Sequence, residues 1–180
     1  MARPERRKRP RAKVRQRSVA RGASGDRSLL EAFWSESVSR TVLPNGLTLI
    51  VKADDSAALA SVQVWVRTGS VHEGGHLGAG LSHFLEHMLF KGTEKRPRPE
   101  DVAGAIENVG GLQNASTDRE VTAYWCKVAR PHFSLGMDVL LDMVLHSAFV
   151  PEEIEKERNV IIEELNQVQD SPAEVATLLI

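Results

Sequence analysis

The 180-residue sequence contains a single cysteine, Cys126. A disulfide within the chain is therefore impossible, and a zinc site built on several thiolates is excluded. No apolar run approaches the roughly 18 residues that a membrane-crossing helix needs, so no span is expected. No short charged segment leads into an apolar one, so a cleaved secretory leader is not expected. Aromatic residues make up only 5% of the chain. None of them stands in its most basic stretch, so that stretch has no platform on which bases could stack. No internal repeat is visible. A disulfide scaffold, a membrane protein and a collagen-like rod are set aside on these grounds.

What is present is a soluble globular composition, with 42% apolar and 26% charged residues. The length suits one domain or one half of a larger molecule, and it can bury roughly two thirds of its unfolded surface. The net charge of −1 hides an asymmetry. Eleven of the 23 Lys and Arg residues lie in residues 1–27, against two of the 24 acidic ones, Glu5 and Asp26. Residues 1–28 read as a disordered basic tail, because almost no large apolar side chain offsets the entropy of ordering them. Three readings of the tail stay open: a solvated tail without a dedicated role, contact with phosphates or another acidic surface, and an organelle-targeting presequence. Only phosphate contact would remain for nucleic acid, which is therefore not the expected partner. The folded domain is expected over residues 29–180. Without a leader or disulfides the cytoplasm is the expected location, and the basic tail leaves an organelle matrix open.

The element pattern is β-β-β-α-α-β-β-α-α. Thr41 to Val51 carries Pro44-Asn45-Gly46 between two apolar runs, a tight turn between strands. Val62, Val64 and Val66 alternate with Gln63, Trp65 and Arg67, a half-buried strand. A glycine-rich loop then leads to an apolar helix over Leu81 to Phe90, closed by Gly92. A second helix is predicted from Pro99 to Val109. Leu112 to Thr117 and Val121 to Val128 form a strand pair. Further helices open at Pro131 and at Pro151, the last reaching about Gln169. Hairpin strands interleaved with helix pairs predict an α+β fold, an antiparallel-rich sheet covered by helices on one face. The chain stops in an apolar stretch, Leu178-Leu179-Ile180, so the domain is expected to be incomplete at its C-terminal end.

His83-Phe84-Leu85-Glu86-His87 carries the chemistry. On a helix Glu86 lies about 60° to one side of His83 and His87 about 40° to the other. Two imidazoles four residues apart can reach one metal ion, and the carboxylate beside them can hold a water. This is the inverted form of the H-E-x-x-H zinc-protease arrangement. The competing view, two hydrogen-bonded core histidines, must satisfy three polar groups on a helix that is apolar almost all round. A catalytic zinc keeps three protein ligands, and the helix from Pro151 offers candidates for the third. Glu164 falls about 20° from Glu157 on that helix, and Glu163 about 120° from it. Ile154, Val160, Ile161, Leu165 and Val168 lie within about 80° of Glu157. Glu157 and Glu164 therefore share an apolar stripe that Glu163 leaves. Two carboxylates on such a stripe point to a shared cation, or else to ion pairs such as one with Arg158. His72 and His76, in the glycine-rich loop, read as exposed loop histidines.

His83 to Thr93, H-F-L-E-H-M-L-F-K-G-T, resembles the zinc motif of the pitrilysin/insulinase-type metallopeptidases. Within that family it is most similar to the branch of the mitochondrial processing peptidase β subunit and its bacterial relatives. Glu157 to Glu164, E-R-N-V-I-I-E-E, fits the family's second signature helix. The resemblance implies zinc ligands His83, His87 and Glu164, with Glu86 as general base and Glu157 as an acid supporting the site from behind. Helical spacing separately favours Glu164 over Glu163. Thr41 to Val51 is similar to the family's opening hairpin. Gly110 to Thr117 resembles its substrate-holding edge strand, which implies peptide contact at Asn114, Ala115, Ser116 and Thr117. Val71 departs from the family, where an arginine or a similar residue is frequent. The resemblance covers about residues 37–180, the N-terminal catalytic portion only. It implies a second homologous half or partner subunit that closes over the substrate. The expected activity is zinc-dependent endopeptidase hydrolysis of extended peptides or presequences. The alternative is a non-catalytic peptide-binding or scaffold subunit, which usually lacks a ligand or the base.

Overall fold

The computed structural model describes residues 38–178. The basic tail, the boundary expected after residue 28 and the last two apolar residues lie outside them. The chain divides into two compact units at Asp54 and Asp55. In the first unit, β1 (Val38–Val42) pairs antiparallel with β2 (Thr48–Lys52), Val42 standing opposite Thr48. Leu43 to Leu47 make the turn. Gly46, at φ 87°, supplies the left-handed residue. Its N–H donates to the Leu43 carbonyl at 2.9 Å, and Asn45 Oδ1 accepts from the Leu47 N–H at 3.2 Å. This is the turn chemistry that Pro-Asn-Gly encodes.

The second unit opens with β3 (Leu59–Val66). The glycine-rich loop follows, with 3₁₀ turns at Ser70–His72 and Gly74–His76. Next come α1 (Leu81–Met88), α2 (Pro99–Glu107), β4 (Leu112–Thr117) and β5 (Thr122–Ala129). A 3₁₀ turn at Arg130–His132 leads into α3 (Phe133–His146), α4 (Pro151–Asp170) and α5 (Pro172–Leu178). β5 lies between β3 and β4 and is antiparallel to both. Because strand side chains alternate, Val62, Tyr124, Cys126 and Val128 share one face. They form the core with Val102 and Ile106 of α2 and Val139, Leu140 and Met143 of α3. Each such large apolar side chain contributes about 1.5–3 kcal/mol through its burial. The opposite face carries Trp65, which is exposed, and Lys127, whose ammonium lies 5.1 Å from the Trp125 ring centre. The fold is thus α+β, an antiparallel sheet with helices on one face.

Three local differences from the sequence reading have simple causes. Pro131 sits inside a 3₁₀ turn, and the α-helix starts at Phe133. The helix from Pro151, read as the last, is followed by a further short one that opens at Pro172, a proline being well placed in a first helical turn. The apolar stripe expected on α4 is only partly covered, with Val160 and Leu165 exposed. Among the described residues α4 packs chiefly on α1 and α5, so a narrow part of its circumference is buried.

Candidate metal centre

The entry to α1 is fixed by close backbone packing. A Cβ on Gly69 would stand 2.2 Å from the Asp118 carbonyl oxygen, so only glycine fits there. Ser70 and Val71 N–H then donate to the carbonyls of Asp118 and Arg119 at 3.2 and 3.0 Å. The loop is tied in this way to the turn between β4 and β5. Gly80 precedes α1 without a side-chain cap. Glu73 takes that role from a distance, its Oε1 accepting the Ser82 N–H at 2.8 Å. The backbone N–H groups at the helix start hold its carboxyl below the usual range, Ser82 first, against the opposing effect of burial. His72 and His76 are exposed, as expected for loop histidines.

On α1 the two imidazoles meet edge to face, ring centres 4.6 Å apart. His83 Nε2 and His87 Nε2 are separated by 3.1 Å. Glu164 Oε2, from α4, stands 3.7 Å from the first and 3.8 Å from the second. These three atoms form a nearly regular triangle. A tetrahedral ion with bonds of about 2.0–2.1 Å separates its ligands by about 3.3–3.4 Å, so the triangle fits such an ion. The donor chemistry agrees. His87 Nδ1 donates to Glu157 Oε1 at 2.8 Å, which leaves the lone pair on Nε2. A lone pair, a second imidazole and a carboxylate oxygen then converge, and two nitrogens with one oxygen suit zinc. His83 and Glu164 are partly open to solvent, whereas Glu157 is 3% exposed.

Glu157 is therefore placed behind His87 rather than at a vertex of the triangle. Its second oxygen, Oε2, accepts from Lys91 Nζ at 2.5 Å. Burial is the largest single influence on this carboxyl and opposes its ionisation. The bonds from Lys91 and His87 together outweigh burial and hold it below its ordinary value. Arg158 pairs with Glu155 at 2.6 Å, so the ion pair raised as an alternative is made by Glu157 with Lys91 instead. Glu163 is exposed. Glu86 is half-buried and makes no hydrogen bond or ion pair with another described residue. Its charge reaches Tyr124, whose hydroxyl is pushed up to about 12, mainly by burial and then by Glu86. Asn114, Ala115, Ser116 and Thr117 lie in β4, beside α1. One edge of β4 pairs with β5, and the other has no partner strand among the described residues.

Sequence reasoning missed two features. Lys91 was one, although its place four residues after His87 was a usable signal. The other is the anchor after α1. Thr93, fully buried, donates its hydroxyl to Asp142 Oδ2 at 2.7 Å, and Arg96 Nη1 donates to the same oxygen at 2.5 Å. Arg96 Nη2 and Lys95 Nζ reach Asp138 on the next turn of α3. The far end of α1 is thereby fixed to α3. Nothing local to Thr93-Glu94-Lys95-Arg96 announces these partners.

The family described as Insulinase (Peptidase family M16) matches residues 48–180. The uncharacterized zinc protease YmxG of Bacillus subtilis is 38% identical over 138 residues, covering 77% of this chain and 33% of that protein. The mitochondrial-processing peptidase subunit beta of Dictyostelium discoideum is 42% identical over 135 residues, 75% of this chain and 28% of that protein. The crystal structure of a protease from Helicobacter pylori superposes with a TM-score of 0.70 at 25% identity, over 77% of this chain and 33% of that one. The chain thus spans about a third of the length of the curated relatives it matches.

Proposed function

The chain belongs to the insulinase family of peptidases, family M16, and from that premise we propose that it is the zinc-bearing portion of an endopeptidase acting on extended peptides. The observation that carries this reading is the convergence of His83, His87 and Glu164 on one point. Relatives named as zinc proteases support zinc as the ion. When bound, zinc supplies Lewis acidity that polarises a carbonyl and acidifies water. His83 and His87 would hold it through Nε2, and Glu164 through a carboxylate oxygen. Glu86 accepts a proton from the attacking water and delivers it to the leaving amine. Glu157 keeps His87 in the tautomer and orientation that ligation needs.

The edge of β4 that has no partner strand among the described residues supports peptide binding by strand addition along Asn114, Ala115, Ser116 and Thr117. Main-chain hydrogen bonds there give affinity with little demand on sequence. Relatives named as processing-peptidase β subunits support presequences as a substrate class and a second homologous half or partner subunit as the company the site needs. The half-open His83 and Glu164 side chains are consistent with a site that another element covers. No helix among the described residues is long and apolar enough to cross a membrane. Metal analysis before and after chelation, with hydrolysis of an unstructured quenched peptide followed as zinc is returned in the presence of a second half, tests the reading. About one zinc per chain, with activity that follows it, is the expected result. A chain that retains no zinc would overturn it.

A further inference from the structure

We propose that Lys91 is a positioning residue for the metal centre, acting through Glu157 on His87; this rests on the metal-centre reading above. Three observations carry it. Glu157 is nearly inaccessible, so its carboxylate depends on protein groups to replace water. Its two oxygens are divided between two donors of the same segment, Oε1 taking His87 Nδ1 and Oε2 taking Lys91 Nζ. A carboxylate held at one oxygen can turn about its last torsion; held at both, it presents Oε1 to the imidazole in one orientation.

The third observation is that the Lys91 backbone is itself fixed. Beyond Met88 the chain tightens into successive turns, with Phe90 N–H donating to His87 C=O and Lys91 N–H to Met88 C=O, both at 3.1 Å. Gly92 follows at φ 126°, and its carbonyl accepts the Ala148 N–H at 3.0 Å. Thr93 is held by Asp142. The lysine stem therefore starts from a rigid point and reaches the one buried acidic residue of α4. The order of dependence runs from Lys91 to Glu157, to the His87 ring plane, to the Nε2 vertex. Partners behind a ligating histidine are worth about 10–100-fold in metal affinity. The ammonium's repulsion of a cation acts in the opposite direction, so the sign of the mutational effect decides which role dominates.

The test uses the full chain with zinc as the probe, in competition with a chromophoric chelator, and cobalt as a spectroscopic stand-in. Lys91→Met should weaken zinc by about 10-fold or more and alter the cobalt visible spectrum. Lys91→Arg, which keeps a donor at that place, should recover most of the affinity. In a Glu157→Gln background, Lys91→Met should add little, because both changes break the same chain of contacts. A lysine that merely braced α1 would lower thermal stability yet leave the cobalt spectrum unchanged and act additively with Glu157→Gln. Should Lys91→Met fail to fold, Lys91→Gln takes its place. Equal or tighter zinc binding by the folded variant, or full additivity, overturns the proposal. Failure of the unmutated chain to bind zinc would overturn the metal-centre reading instead, so the two failures are distinguishable.

Discussion

Glu157 Oε1 lies 2.8 Å from His87 Nδ1 across 70 residues of sequence. The pair joins two helices that share no local signal, and it orients the imidazole whose other nitrogen stands in the metal triangle. The consequences can be measured one at a time.

Replacing His87 by alanine removes a vertex of the triangle and the partner of Glu157 together. His87→Ala should lose nearly all bound zinc, where the unmutated chain carries about one per molecule. Elemental analysis after gel filtration reads this directly. Full occupancy in the variant would show that the ligands lie elsewhere.

Glu86→Gln keeps the shape of the side chain but cannot accept a proton at neutral pH. Zinc content should be unchanged and peptide hydrolysis should fall about 10²–10⁴-fold, the usual contribution of a positioned base. Turnover in a complex with a second half, measured at saturating zinc, provides the comparison. An unchanged rate would assign the base to another residue.

Asp142 is the shared acceptor of Thr93 and Arg96, and its side chain and that of Arg96 are about nine-tenths covered. Asp142→Ala leaves the buried Thr93 hydroxyl and Arg96 Nη1 without their acceptor, while Arg96 Nη2 keeps Asp138. The loss of stability should be roughly 1–3 kcal/mol, the cost of buried polar groups left without a partner. Urea titration of the metal-free chain measures it. A cost below about 1 kcal/mol, the level of a surface pair, would mean that the anchor is not a stabilising one.

Asp138 gives a pH signature. Lys95 first, and Arg96 second, hold its carboxyl below the ordinary 3.8 despite slight burial. A depressed folded-state value means that its stabilisation is complete above the ordinary value and disappears as pH falls through the folded one. Because the side chain is 44% exposed, the effect is modest. Asp138→Asn should be slightly less stable than the unmutated chain at neutral pH, and the two should converge in strong acid. A gap that widened on acidification would contradict the assignment.

The chain alone should hydrolyse peptides slowly even with zinc bound. It spans about a third of its curated relatives, and Leu165, Val160 and Ile162 of α4 are exposed. Positioning of the scissile bond supplies on the order of 7–11 kcal/mol in favourable cases, and a half-covered site forgoes much of it. Adding a separately produced second half should raise the rate. Efficient cleavage by the chain alone, indifferent to that addition, would argue against a shared site.

The sequence by itself determined whatever depends on near neighbours. His83, Glu86 and His87 share a helix face because they lie within one and a half turns. Pro44-Asn45-Gly46 makes a hairpin turn because a glycine there tolerates positive φ. Prolines 99 and 151 mark helix starts because a first turn needs no N–H from them. Alternation along Val62, Val64 and Val66 announced which side of the sheet would be covered. Angular spacing also separated Glu157 and Glu164 from Glu163, but it left the first two equivalent. The family resemblance assigned them different roles, and the tertiary structure supplies the physical reason, since the crossing of α1 and α4 sets Glu164 near the Nε2 atoms and Glu157 behind His87. The same crossing gave Lys91 its partner, and the packing of α3 gave Thr93 and Arg96 theirs. Periodicity fixes the direction in which a side chain leaves its own helix; what it meets is set by how distant surfaces pack, which no local spacing encodes.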